Sequence, residues 1–253
     1  MYTERQLTEL EEKEYSSTEE KLAVMLLLLQ NLKGDLEKEL RDFYQKYGKD
    51  GVVTYHEARK WVSGKEKRGR LTALLLLFSN KFSKLSDDLE EQFKSLIESV
   101  IALESDFFDV DLDTEKLLHK PWGADNSNWS VRLTDDVDLW DYHVASDVKQ
   151  GIVSQKQIDD VLEQLNKRFM TMERVLRGLS ITESSAVGSL ARKQVFSKLG
   201  IKKYRYYARE DERTCEQCGA LHGLVFPISA YEIGVTASPL HPRCRCWEVP
   251  IVE

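Results

Sequence analysis

Before Gly200, apolar residues recur at every third or fourth position along most of the chain, the spacing of one face of an α-helix. The first stripe runs Leu22, Met25, Leu29, Leu32, Leu36, Leu40, Phe43 and Tyr47. Ser17, with Glu20 three residues on, forms a capping box that predicts the helix start. Gly48 predicts its end, and Gly34 within the stripe weakens it slightly. Thr54 predicts the cap of a short helix over Tyr55–Val62, ended by Ser63-Gly64. A second stripe follows through Leu71, Leu75, Phe78, Phe82, Leu85, Leu89, Phe93, Leu96, Val100, Leu103 and Phe107. At about 1.5 Å per residue that helix is on the order of 50 Å long. A short link between two such helices predicts an antiparallel hairpin.

Residues 109–130 are rich in turn formers, including Pro121-Trp122-Gly123 and Asp125-Asn126-Ser127-Asn128, and predict a domain boundary or hinge. Helical spacing resumes over Leu133–Gln150, with Gly151 as its stop. Ser154 then predicts the cap of a helix over Gln155–Arg177, ended by Gly178. A further helix is predicted over Thr182–Leu199, closed by Gly200. Past Gly200 the pattern turns extended. Lys203–Ala208, Leu224–Phe226 and Cys246–Val252 predict short strands in a loop-rich tail. The expected fold is mainly α: helices over 1–115, more helices over 116–200, and a small α+β module over 201–253.

Composition narrows the class. With 13 glycines and 5 prolines in 253 residues, collagen-like and low-complexity chains are excluded. The net charge of −7 excludes a uniformly basic nucleic-acid coat. The charged N-terminus lacks the apolar core of a secretory signal, and the longest apolar runs, Leu22–Leu29 and Ala73–Phe78, fall short of the ~20 residues of a membrane span. A soluble protein made in a reducing cytoplasm is expected.

The four cysteines are unevenly placed. Cys215, Cys218, Cys244 and Cys246 lie within 32 residues, and the preceding 214 residues contain none. Cys215-Glu216-Gln217-Cys218 is one close pair. His241-Pro242-Arg243-Cys244-Arg245-Cys246 is a second ligand group, 22 residues further on. Two close pairs joined by a loop are the usual sequence form of a tetrahedral zinc site. Five residues compete for four positions: either the four cysteines, or His241 with Cys215, Cys218 and one of Cys244 and Cys246. His222 is a weaker sixth candidate. The alternative is one or two disulfides, or free thiols packed in a small core. The residues after Cys218 read as a turn, against a thioredoxin-like redox motif.

Asp-Glu-Arg-Thr-Cys-x-x-Cys at 211–218, Ala220-Leu221 with Gly223-Leu224-Val225-Phe226, and Pro239-Leu240-His241-Pro242-x-Cys-Arg-Cys resemble the C-terminal signature of the phage Mu F-like minor head proteins, also called phage head morphogenesis proteins. The likeness covers about residues 120–253, including the junction Lys149–Ser154 and the strand approach Leu199–Tyr206. The chain departs from the family where Ile181-Thr182-Glu183 replaces Arg-Thr-Glu, and where His222 replaces Asp. The resemblance implies a low-copy virion component. It would be assembled in the host cytoplasm, associate with the portal or major capsid protein inside the head, and act in head assembly, DNA packaging or delivery. Relatives with a toxin or ADP-ribosyltransferase domain carry it after this module. Only seven residues follow Cys246, so none is expected here.

Charge divides along the chain. Residues 192–253 carry ten Lys and Arg against seven Asp and Glu, a net +3, so the preceding residues carry −10. Arg192, Lys193, Lys198, Lys202, Lys203, Arg205 and Arg209 form a basic run interleaved with Tyr204, Tyr206 and Tyr207. Such a run can contact DNA phosphates and stack on bases, or be a solvated strand face. No catalytic residue is assigned: His56, His119 and His143 are isolated, and no phosphate-binding loop or zinc-protease motif is present. The expected function is structural. Self-association through the N-terminal helices and contact with packaged double-stranded DNA are further expectations. A nuclease or ADP-ribosyltransferase-like enzyme, or a zinc-stabilised DNA-binding module, is the alternative.

Overall fold

The computed structural model describes residues 4–60 and 69–252. Four long helices dominate: α1 (Glu4–Tyr47), α3 (Arg70–Phe108), α5 (Trp129–Val153) and α6 (Ile158–Lys198). Short helices α2 (Tyr55–Arg59) and α4 (Thr114–Leu118) lie between them. The tail holds β1 (Lys203–Tyr207), α7 (Glu216–Leu221), β2 (Val225–Pro227) and β3 (Trp247–Ile251). The mainly helical architecture with a small α+β tail is therefore as expected.

The predicted stripes largely coincide with the buried faces, although on α3 Leu74 and Phe108 are buried where Leu75 and Phe107 were expected, and Leu103 is half-buried beside the buried Glu104. Leu22, Met25, Leu29, Leu36 and Leu40 are fully buried on α1, as are Phe78, Leu89, Phe93 and Leu96 on α3. Thr54 caps α2, its hydroxyl accepting from Glu57 N. The predicted end of that helix at Val62–Gly64 lies outside the described residues.

Several boundaries differ from expectation, and Ser154 does not cap the next helix: it lies in the turn after α5, and α6 begins at Ile158. The capping box at Ser17 does not start α1, which begins at Glu4. Leu7 and Leu10 continue the stripe, and the buried Glu14 and Thr18 hold its next two positions. Polar residues on the inner face hid that part of the helix. Gly151 does not stop α5. A Cβ there would meet Val161 Cγ2 at 2.7 Å, so the glycine permits close approach of α5 and α6. Gly178 does not break α6 either. Its bare face receives the Arg243 guanidinium, whose Nε lies 3.1 Å from where a Cβ would be.

The chain forms two compact units, each assembled from separated segments, so the linear partition at 115 and 200 does not describe them. One contains Val24–Glu90 and Leu133–Val175. Within it, Asp35 pairs with Lys81 (2.9 Å), Ser79 with Asp141 (2.8 Å), Asp147 with Arg168 (2.8 Å) and Lys33 with Asn166 (2.5 Å). These contacts link α1 to α3, α3 to α5, α5 to α6 and α6 back to α1. Second contacts along the same helix pairs, Ser17 with Ser99, Phe93 with Trp129, Gly151 beside Val161 and Glu19 with Arg177, show rising numbers meeting falling ones, so the four helices run up-down-up-down.

The other unit contains Met1–Ala23, Glu91–Arg132 and Leu176–Glu253. Here α6 from Glu183 to Arg192 is buried almost all round, as a central helix must be. The turn-rich segment 109–130 lies wholly inside this unit and is not a boundary. Trp129 stacks on Phe93, ring centroids 5.9 Å apart, and its Nε1 donates to Leu118 O at 2.8 Å. A free hinge would leave the Trp129 side chain in solvent, whereas here it is buried. The sheet is antiparallel in the order β2-β1-β3, with Tyr204 opposite Phe226 and Pro250.

Candidate metal centre and the basic face

The cysteine module begins on β1, where alternation puts Tyr204 and Tyr206 inside and Lys203 and Arg205 outside. Ala208 N then donates to His222 Nδ1, whose ring packs at 4.8 Å from Tyr207. His222 is thus a structural partner of the strand and not one of the converging ligands. After it, Asp211 anchors the turn: its N donates to Thr214 Oγ1 (2.8 Å), and its carboxylate accepts from Arg213 N (2.9 Å). Cys215 is the N-cap of α7, its sulfur accepting from Cys218 N at 3.4 Å. The segment after Cys218 is therefore a short helix where a turn was expected, because the cap and the Asp211 turn start one.

Five side chains converge around Tyr206. His241 Nε2 lies 3.2 Å from Cys215 Sγ and 3.3 Å from Cys218 Sγ. Cys218 Sγ lies 3.7 Å from Cys244 Sγ. Cys218 also groups with Cys244 and Cys246, so it belongs to two overlapping trios of candidate ligands. All four thiols are free of disulfides. Two sulfurs on one tetrahedral zinc sit roughly 3.8 Å apart, and sulfur and nitrogen roughly 3.6 Å apart, given ordinary bond lengths. The observed spacings are close to both. His241 Nδ1 lies 2.9 Å from Pro242 O, a bond that places its proton on that nitrogen and turns the Nε2 lone pair towards the thiols. The donor set fits zinc.

Electrostatics divides the thiols. The Cys218 backbone N–H and the His241 ring favour the thiolate of Cys215 and lower its pKa. Burial pushes Cys218 up to about 12. A hydrogen bond from Cys246 brings Cys244 down to about 5, and the same bond with burial raises Cys246. His241 is raised: burial opposes its charge, but the Pro242 carbonyl and the charge of Cys244 outweigh it. The two halves of the motif are also clamped from outside. Arg245 donates to Asp211 through both terminal nitrogens, at 2.7 and 2.8 Å, holding that carboxyl below its usual range. Sequence reading missed this fork, although both residues flank the cysteines.

The basic run does not stay together. Arg192 is 2% exposed and cannot reach DNA. Its guanidinium lies among Glu11 (2.6 Å), Glu14 (3.7 Å), Glu248 (3.6 Å) and Glu104, with which it hydrogen-bonds. Burial keeps Glu14 and Glu248 protonated more readily than usual and brings Glu11 up to about 7. Lys193 donates to Tyr231 O at 2.7 Å, and Lys198 to Asp111 O at 2.5 Å. Lys202, Lys203 and Arg205 are exposed, and Arg209 is half-buried within 4.0 Å of Asp211. Base stacking by Tyr204 and Tyr206 is overturned, since both are fully buried. Only position 14 and position 104, carboxylates in phase with apolar stripes, signalled the cluster in the sequence.

The helices, the small sheet and the Cys/His cluster beside it define a mainly helical protein with a small α+β tail. Residues 142–249 match the family described as Phage Mu protein F like protein. Over that span, which is less than half of the chain, it is similar to the phage Mu F-like proteins, the head morphogenesis class that its tail resembles. The matched residues run from within α5 to β3 and include all five converging ligands. Comparison with curated proteins and with solved structures returned no match. Among the described residues, no helix is long and apolar enough to cross a membrane.

Proposed function

We propose that the chain is a structural minor head protein of a tailed phage or prophage, held at the portal vertex or on the capsid interior. It acts there in head assembly and in DNA packaging or delivery. The observation that carries this reading is the phage Mu F-like match over 142–249. The four-helix unit supports a docking role, including self-association: Val24 and Leu27 on α1 and Leu76 and Leu77 on α3 are exposed apolar residues. The reading is non-catalytic. Glu183, which an enzyme would need free, is 1% exposed and accepts from Trp122 Nε1 (2.8 Å) and Arg132 Nη1 (2.7 Å).

Zinc belongs to the same reading, bound by Cys215, Cys218, His241 and Cys244, with the Cys246 S–H donating to the Cys244 thiolate. Four protein ligands leave no open position, so the ion would hold the loops and supply no catalysis. The exposed Lys202, Lys203 and Arg205 supply the face for packaged DNA, a contact that would weaken as salt is raised. Co-expression with the portal and major capsid proteins of the same phage tests the reading. Co-purification with the portal protein and presence in purified virions are expected. Absence from both proheads and virions would overturn it.

A further inference from the structure

A cleft of about 580 Å³ opens beside the cysteine module, within the unit that contains it. The turn before α5 supplies Lys120 and Trp122, α6 supplies Lys193, and the loop before β3 supplies Tyr231 and Val235. Its size is that of a site for a small ligand or a few peptide residues.

The polar groups of this cleft are lopsided. Lys120 and Lys193 both line it; Lys193 bonds to the Tyr231 carbonyl, the charges acting on Lys120 are those of other lysines, and among the described residues neither pairs with a carboxylate. They are close enough that burial and then the charge of Lys193 lower the pKa of Lys120. Lys193 spends one N–H on Tyr231 O and sits 5.5 Å from the Tyr231 ring centroid, so two of its three donors remain. The carboxylate at the cleft is Glu232, which is exposed. His241 reaches the cleft edge with its nitrogens turned to Pro242 and the thiols. Of the side chains that face into the cleft, two lysines against one glutamate leave a single uncompensated positive charge.

The walls beside that charge are apolar. Trp122 is half-buried, and Val235 is 56% exposed. A charge facing an apolar, partly dry wall selects a ligand that brings an opposite charge on an apolar body. A monoanion balances the cleft. A phosphate dianion would leave excess negative charge, and a nucleic-acid duplex is too wide to enter.

We propose that this cleft binds an apolar peptide segment of a protein partner that carries one carboxylate. The carboxylate lies between Lys120 and Lys193, and its apolar neighbours lie on Trp122 and Val235. The chemistry of the cleft does not depend on the metal or on the head-assembly reading.

The test uses the full chain and capped pentapeptide libraries. In one library a central aspartate is flanked by leucine, isoleucine, phenylalanine or tryptophan. In the second, asparagine replaces the aspartate. An eight-nucleotide oligothymidylate is the third probe. Selected aspartate peptides should bind roughly tenfold more tightly than their asparagine counterparts, as charge-assisted bonds require. The double variant Lys120→Gln/Lys193→Gln should lose that preference. Because Lys193 also holds Tyr231 O, Val235→Asp supplies a second variant, at an exposed position, that should weaken the same peptides by a similar factor. The proposal is overturned if no peptide binds, if aspartate and asparagine peptides bind alike, or if Val235→Asp leaves binding unchanged. It is also overturned if the oligothymidylate binds more tightly than any peptide and the double variant abolishes that binding.

Discussion

Glu11, Glu14 and Glu248, buried beside Arg192, make stability depend on pH in a direction opposite to that of most acidic proteins. Glu11 titrates at about 7 in the folded state, against an ordinary 4.5, because burial outweighs the attraction of Arg192. A carboxyl with a raised folded value binds its proton more tightly folded than unfolded. The stability it contributes is complete below about pH 4.5 and is lost as pH rises through about 7. At about 1.4 kcal/mol per pH unit, the loss from Glu11 is roughly 3 kcal/mol. Glu14 and Glu248, also raised by burial, add in the same direction. Glu11→Gln removes that ionisation and keeps the shape. The variant should match the parent at pH 5 and be more stable by about 1–2 kcal/mol at pH 8, once a lost bond to Arg192 of about 1–2 kcal/mol is subtracted. Urea unfolding followed by circular dichroism at pH 5, 6, 7 and 8, at constant ionic strength, reads both slopes. Glu12→Gln, at an exposed neighbouring position on α1, is the control. A parent whose midpoint is flat from pH 5 to 8, or a Glu11→Gln variant whose slope parallels the parent's, would refute the reasoning.

Other expectations follow from single contacts. Protein purified without added metal should carry about one zinc per chain by mass spectrometry. Cys215→Ser and Cys244→Ser should lose it, while Cys246→Ser should retain it with a lower affinity. Gly151→Ala should destabilise by about 1–3 kcal/mol through its clash with Val161, whereas Gly34→Ala, with nothing within 4 Å, should stabilise by about 0.5–1 kcal/mol; thermal melts separate the two. Arg192→Met should cost roughly 3–5 kcal/mol at pH 8 by leaving buried carboxylates unneutralised, and part of that loss should return at pH 5. Charge reversal at Lys202, Lys203 and Arg205 should abolish salt-sensitive binding of duplex DNA while leaving the melting temperature within a few degrees, because all three side chains are exposed.

Much of this was local enough for the sequence to determine. The stripes through Leu22–Phe43 and Leu71–Phe107 specify helices because apolar burial repeats with the helical turn, and α3 ends within one residue of expectation at each end. Cys215, Cys218, His241, Cys244 and Cys246 identified their own meeting place, because close pairs on turns can converge only near one point. The start of α1 and the continuity of α6 were decided by contacts distant in sequence. Glu14 sits on the inner face beside Arg192 from another helix, 3.7 Å away, where burial favours its neutral form, and Gly178 stays helical with Arg243 against its bare face. A lone sequence shows a carboxylate, an arginine or a glycine, each of which is ordinarily exposed or helix-breaking. Only the tertiary structure brings the partner that reverses that preference, and so turned Arg192 from a candidate DNA contact into the centre of a buried charge cluster.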